Sequence, residues 1–153
     1  MNAAVRAITR AAIREGVEVF AIREGWQGAY EGGEHITRMH WRDVSGILGK
    51  GGTVIGTARC TEMRTEAGQR EVVKNLVTNG IDRLIVIGGD GSLTGARELK
   101  LGWSDVLDSL VAAGEIDQAL ADRHRHLRMA GIVGSIDNDM VGTDMTVGTD
   151  SAM

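Results

Sequence analysis

Three carboxylates, two arginines and a run of small residues stand at spacings that could move a phosphoryl group. Asp137 and Asp139 flank Asn138 in Ser135-Ile136-Asp137-Asn138-Asp139. One such carboxylate can accept the proton of an attacking hydroxyl, others can organise magnesium, and a guanidinium can neutralise charge on the transferring group. Arg59 and Arg64 are the guanidinium candidates. Upstream, Leu84 to Leu93 reads LIVIGGDGSL. Four apolar residues rich in branched side chains end at Gly88, Gly89, Asp90, Gly91 and Ser92, the pattern of a buried parallel strand stopping at a phosphate site. Glycines there, having no Cβ, can adopt positive φ and bring amide N–H groups against phosphate oxygens. Asp90 would repel bare phosphate, so it is expected to hold a magnesium ion that bridges to the phosphates. Ser92 is expected to cap the following helix, whose N-terminus adds positive potential. Each motif alone has a plainer reading, a strand-to-helix turn or an Asx turn. Their conjunction favours chemistry.

Positioning these groups is the work of the elements between them. Asn2 to Glu15 has the apolar spacing of an amphipathic helix, with Arg6, Arg10 and Arg14 as a basic stripe that is either a solvated face or an anion and effector site. Val17 to Ile22 predicts a strand, followed by a glycine-rich loop around Trp26 and Tyr30 that could stack on a base or simply pack. Helix and turn signals from Asp43 to Gly52 lead to a short predicted strand, Thr53 to Ile55, ending at GTARC. Thr65 to Asn79 predicts a second amphipathic helix stopped by Gly80. Leu93 to Lys100, Ser104 to Ala113 and Asp117 to His124 predict three shorter helices, and Met129 to Val133 the last strand. His124 and His126, two apart, fall on different helix faces and suit a solvated surface rather than a metal. The alternation predicts an α/β fold: a three-layer, Rossmann-like open parallel sheet with right-handed crossovers and helices on both faces. The carboxyl ends of its strands would bring GTARC, GGDGS and SIDND to one rim.

Composition narrows the partners. The 153 residues suit a single domain, and 22 glycines are about twice the usual ~7%. A formal charge of −4 and scattered basic residues leave no footprint for nucleic acid, and no apolar run approaches the ~18 residues of a membrane span. The single cysteine, Cys60, and the lack of a signal-peptide pattern point to a reducing cytoplasm.

The opening MNAAVRAITR, the segment GGTVIGTARC followed by Arg64, VIGGDGSLTGA and GSIDNDMVGTDMTVGTDSA together resemble 6-phosphofructokinase over nearly the whole chain. NAD and diacylglycerol kinases share the GGDG motif but not the SIDND and GTD sequences behind it. Leu101 to Leu127 is similar to an insertion of the eukaryotic enzymes. The resemblance implies transfer of the ATP γ-phosphate to the 1-hydroxyl of fructose 6-phosphate. On it Asp137 matches the proton acceptor, and Ser135, Ile136 and Asp137 match sugar-phosphate contacts. Asp90 matches a Mg2+ ligand, with Asp139 supporting it. Arg59, Cys60, Gly89, Asp90, Gly91 and Ser92 match ATP contacts, and Arg59 and Arg64 are placed near the transferring phosphate. Gly91 and Gly134 stand where pyrophosphate-using relatives carry aspartate and lysine, which favours ATP as donor. The resemblance further implies small-molecule allosteric effectors and a homo-oligomer, tetramer or higher, for the full-length protein. It places the chain in one ATP-binding catalytic domain of an N-terminal half, with a first strand expected before Met1 and a second sugar-binding domain beyond Met153. The rival readings are a pyrophosphate-dependent relative, a lipid or NAD kinase of the GGDG type, or a non-catalytic nucleotide-binding module.

Overall fold

The structure, a computed structural model, describes residues 1–152, with side chains described to Asp150. In chain order the elements are α1 (Asn2–Arg14), β1 (Val19–Ile22), α2 (Trp26–Glu31), β2 (Ile36–Met39), α3 (Glu66–Thr78), β3 (Arg83–Gly88), α4 (Asp90–Ala112), α5 (Gln118–Arg123), β4 (Arg128–Val133) and α6 (Thr149–Ala152). Short 3-10 turns precede β2 at Gly33–His35 and α3 at Glu62–Arg64. The α/β class holds. β3 and β4 pair in parallel, from Arg83 opposite Arg128 to Gly88 opposite Val133.

Alternation of side chains along the strands builds two cores. Leu84 and Val86 of β3 join Val72, Val73, Leu76 and Val77 of α3 and Leu99, Trp103, Leu107 and Leu110 of α4, whereas Ile87 joins Val5 of α1, Met39 of β2, and Val44 and Ile47. Phe20 and Ile22 of β1 face the first cluster and Val19 and Ala21 the second, as a period of two requires. Helices therefore pack on opposite faces of the strands. α3 begins where its sequence says it should: the Thr65 hydroxyl accepts the Gly68 amide at 3.0 Å, an N-cap.

Several local expectations are corrected. β1 and β2 form a two-stranded antiparallel sheet of their own, Val19 opposite Met39, distinct from the parallel pair β3 and β4, so the pairing is not parallel throughout, and β2 was not among the predicted strands. The chain between them turns back through α2, which occupies the predicted glycine-rich loop between Gly25 at φ +61° and Gly32 at φ +66°. No strand forms at Thr53 to Ile55 and no helix in the 43–52 stretch, where the chain makes turns. The buried Asn2 side chain holds this loop instead, donating to the carbonyls of Lys50 at 3.0 Å and Gly51 at 3.1 Å and accepting the Val54 amide at 2.6 Å. The helices predicted at 93–100 and 104–113 are one 23-residue helix, α4, because Leu99, Trp103, Leu107 and Leu110 make one continuous buried stripe across Gly102.

The basic stripe of α1 divides: Arg14 is solvated and, among the described residues, pairs only with its neighbour Glu15, whereas Arg6 and Arg10 are engaged by the chain. Arg6 donates to the Val44 carbonyl at 2.8 Å, and the Arg10 guanidinium lies 4.6 Å from the centre of the Trp41 ring. His124 is likewise not on a solvated surface. It is buried, its Nδ1 is 3.0 Å from the Leu120 carbonyl, and its own carbonyl accepts the Trp103 indole N–H at 2.7 Å.

Candidate active site

The paired strands β3 and β4 end side by side, and that brings the two carboxylate motifs together. Beyond the last rung, Gly134 N–H donates to the Gly88 carbonyl at 2.9 Å. A side chain on Gly89 would lie 3.8 Å from both the Gly134 carbonyl oxygen and Ser135 Cβ, so GGDGS and SIDND abut. Gly89 precedes α4, and Asp90 and Gly91 form its first exposed turn. Ser92 is not the cap: it is the third helical residue, and the Leu93 amide is satisfied by the Gly89 carbonyl at 3.1 Å. None of Gly88, Gly89 and Gly91 has positive φ. Space, not torsion, demands glycine at Gly88, where a Cβ would sit 2.6 Å from Ser92 Cβ.

In the second loop the Ser135 hydroxyl donates to Asp139 Oδ1 at 2.9 Å and accepts the Asp137 amide at 3.3 Å. Ile136, Asp137 and Asp139 are exposed, and the Asp137 carboxylate has no hydrogen-bond or ion-pair partner among the described residues. Asn138 has φ +53°, a conformation that asparagine tolerates better than most residues. Its amide closes the loop by donating to the Asp144 carbonyl at 3.2 Å and accepting the Thr146 amide at 2.9 Å. A cavity of about 160 Å3 lies beside this loop, between Met1, Gly52, Thr53, Gly134, Ile136, Val147 and Gly148.

The third predicted motif does not lie at a strand end. GTARC follows a turn rather than a strand and enters the 3-10 turn at Glu62–Arg64, which packs on α2 and α3. Met63 at the centre of that turn is buried, and its Cγ would lie 3.8 Å from a Cβ at Gly95 of α4. Arg59 and Arg64 are exposed and without ion pairs among the described residues. Cys60 is half-buried against the larger core, and burial pushes its thiol up, with the Glu62 carboxylate beside it adding to the rise. Trp26, which the sequence left either to stack on a base or to pack, packs against the larger core, and its indole N–H donates to the Ser92 carbonyl at 3.2 Å. Sequence reasoning missed Thr146 and Thr149, both buried behind the SIDND loop.

Exposed carboxylates on two abutting loops are hard oxygen donors of the kind magnesium takes. Among the described residues no three His, Cys, Asp or Glu side chains gather into a closed metal site. Such a set suits an ion held by one or two carboxylates that completes its shell with water and phosphate oxygens.

A family model described as Phosphofructokinase matches residues 1–153. The chain belongs to the phosphofructokinase family. It is 54% identical over 153 residues to the liver-type ATP-dependent 6-phosphofructokinase of Homo sapiens and 53% identical to the ATP-dependent 6-phosphofructokinase of Yarrowia lipolytica. These alignments take in 100% of this chain but 20% and 16% of the two relatives. The structure of phosphofructokinase from Saccharomyces cerevisiae superposes with a TM-score of 0.95 at 49% identity, covering 99% of this chain and 20% of that one. The chain thus spans a fifth or less of the length of these phosphofructokinases. Among the described residues no helix is long and apolar enough to cross a membrane.

Proposed function

We propose that the chain carries the nucleotide and proton-transfer side of an ATP-dependent 6-phosphofructokinase. The full-length protein then moves the γ-phosphoryl group of ATP to the 1-hydroxyl of fructose 6-phosphate. The observation that carries the reading is the abutment of GGDGS and SIDND at the ends of two paired parallel strands, within a chain of this family. Gly89, Asp90, Gly91 and Ser92 line the phosphates, where the open space at Gly91 leaves room for the nucleotide. Asp137 accepts the proton of the attacking hydroxyl, since its carboxylate is exposed and without a partner among the described residues. Ser135 and Ile136 stand beside it to contact the sugar phosphate. Arg59, in an exposed loop, and Arg64, in the 3-10 turn after it, offset charge on the transferring group, and Cys60 contacts the nucleotide from the loop of Arg59. Asp90 holds Mg2+ with support from Asp139; when bound, the ion screens the phosphate charge. A cytoplasmic location, small-molecule effectors and a homo-oligomer of the full-length protein belong to the same reading. So does the assignment of residues 1–153 to one ATP-binding catalytic domain.

The test is a donor and acceptor survey on the purified full-length protein. Fructose 1,6-bisphosphate should form from ATP, magnesium and fructose 6-phosphate. Turnover with pyrophosphate alone, phosphorylation of diacylglycerol or NAD instead of the sugar, or nucleotide binding with no transfer would each replace this reading by a rival.

A further inference from the structure

Thr146 and Thr149 have no part in the chemistry above, yet they are the most enclosed polar side chains near it. They are 3% and 7% exposed, while their neighbours Asp144, Met145 and Asp150 are exposed. Buried hydroxyls require partners, and these converge on one loop. The Thr146 hydroxyl bonds the Ser135 carbonyl, the Thr149 hydroxyl reaches the same carbonyl at 3.0 Å, and the two hydroxyls are 2.7 Å apart. Asn138 Oδ1 accepts the Thr146 amide at 2.9 Å and lies 3.5 Å from the Thr149 hydroxyl. The return segment is itself tied to the end of β4, where Val147 N–H donates to the Val133 carbonyl at 3.0 Å.

These bonds end two residues before Asp137 and one residue after it. The Asp137 carboxylate has no partner of its own among the described residues, so only its backbone fixes where it stands. That backbone is held by the two threonines. We propose that Thr146 and Thr149, acting through the Ser135 carbonyl and Asn138, are positioning residues that hold the Asp137 carboxylate for proton transfer. The inference rests on Asp137 being the proton acceptor. A displacement of about 1 Å at such a group can cost on the order of 100-fold in rate, so a latch of this kind acts on turnover more than on binding.

The test uses steady-state kinetics of the full-length protein with ATP and fructose 6-phosphate. Thr149→Val keeps the shape and removes the hydroxyl. It should lower kcat about 10-fold or more while both KM values change less than about 3-fold. Thr149→Ser restores the hydroxyl and should recover kcat to within about 2-fold. On an Asp137→Asn background Thr149→Val should have no further effect on kcat, because the latch acts through that carboxylate. Should Thr149→Val fail to fold, Asn138→Gly, which permits the same left-handed backbone but lacks the amide, should likewise lower kcat with little change in KM and add nothing on the Asp137→Asn background. The proposal is overturned by unchanged kcat in the Val variant, by no recovery with Ser, or by a loss that persists in full without Asp137. If Asp137→Asn itself keeps full kcat, the base assignment falls and the latch has nothing to hold. If Asp137→Asn is crippled and Thr149→Val is not, the latch alone is wrong.

Discussion

Gly88 and Gly91 stand three positions apart in one motif and answer different demands. A Cβ on Gly88 would meet Ser92 Cβ at 2.6 Å and Oγ at 2.8 Å, whereas one on Gly91 would meet nothing within 4 Å. Gly88→Ala should therefore cost about 1–3 kcal/mol of folding stability through overpacking. Gly91→Asp should leave the thermal midpoint near that of the parent but weaken ATP by roughly 1–3 kcal/mol, through charge and bulk beside the phosphates. Paired melting and calorimetric ATP titrations on the full-length protein separate the two; unchanged ATP affinity in Gly91→Asp would put Gly91 away from the phosphates. The residue types at this site were legible in the sequence, and the reason for the glycines was not. The torsional freedom that glycine allows is not used, and the requirement at Gly88 comes from a side chain one helical turn later, which only the folded geometry brings close. Thr146 and Thr149 escaped for a similar reason, since their partner Ser135 lies 11 and 14 residues away.

Elements were legible where a local signal and the buried stripe agreed. Thr65 caps α3 as its position suggests, and β3 ends at the glycines that follow its apolar run. They were misread where packing overrode local propensity. Six-residue α2 forms in a stretch that reads as loop, and four-residue β2 is too short to show a period. α4 runs unbroken through Gly102, which is helical and has open space around its missing Cβ. Gly102→Ala should accordingly stabilise the protein by about 0.5–1 kcal/mol, read as a higher denaturant midpoint at unchanged slope. A lower midpoint would mean that Gly102 meets something outside the described chain. The site followed the same logic: β3 and β4 delivered two motifs together as expected, whereas GTARC follows a turn in a loop that the Asn2 side chain bonds.

At the scale of the molecule, ion pairs join elements that the strands do not. Glu115 Oε1 accepts Arg70 Nη2 at 2.7 Å and Oε2 meets Lys74 Nζ at 3.0 Å, tying α3 to the turn after α4. The Arg70 guanidinium, then the Lys74 ammonium, holds the Glu115 carboxyl below its ordinary value. A depressed carboxyl stabilises the folded state above its unfolded pKa of about 4.3, and that contribution is lost as pH falls through the lower folded value. Glu115→Gln should therefore lower stability at neutral pH and leave a shallower loss on acidification, and parallel pH-melting curves for variant and parent would refute the linkage. The proposed division of one reaction between two abutting loops gives Asp137 the proton and Asp90 the metal. Its most direct test is kcat of Asp137→Asn and Asp90→Asn in the full-length protein across magnesium concentrations at fixed ionic strength. Asp137→Asn should lose about 10²–10⁴-fold at every magnesium level with ATP and sugar-phosphate binding within several-fold of the parent, while Asp90→Asn should need more magnesium and recover in part when it is supplied. Rescue of Asp137→Asn by excess magnesium, with none for Asp90→Asn, would contradict the account.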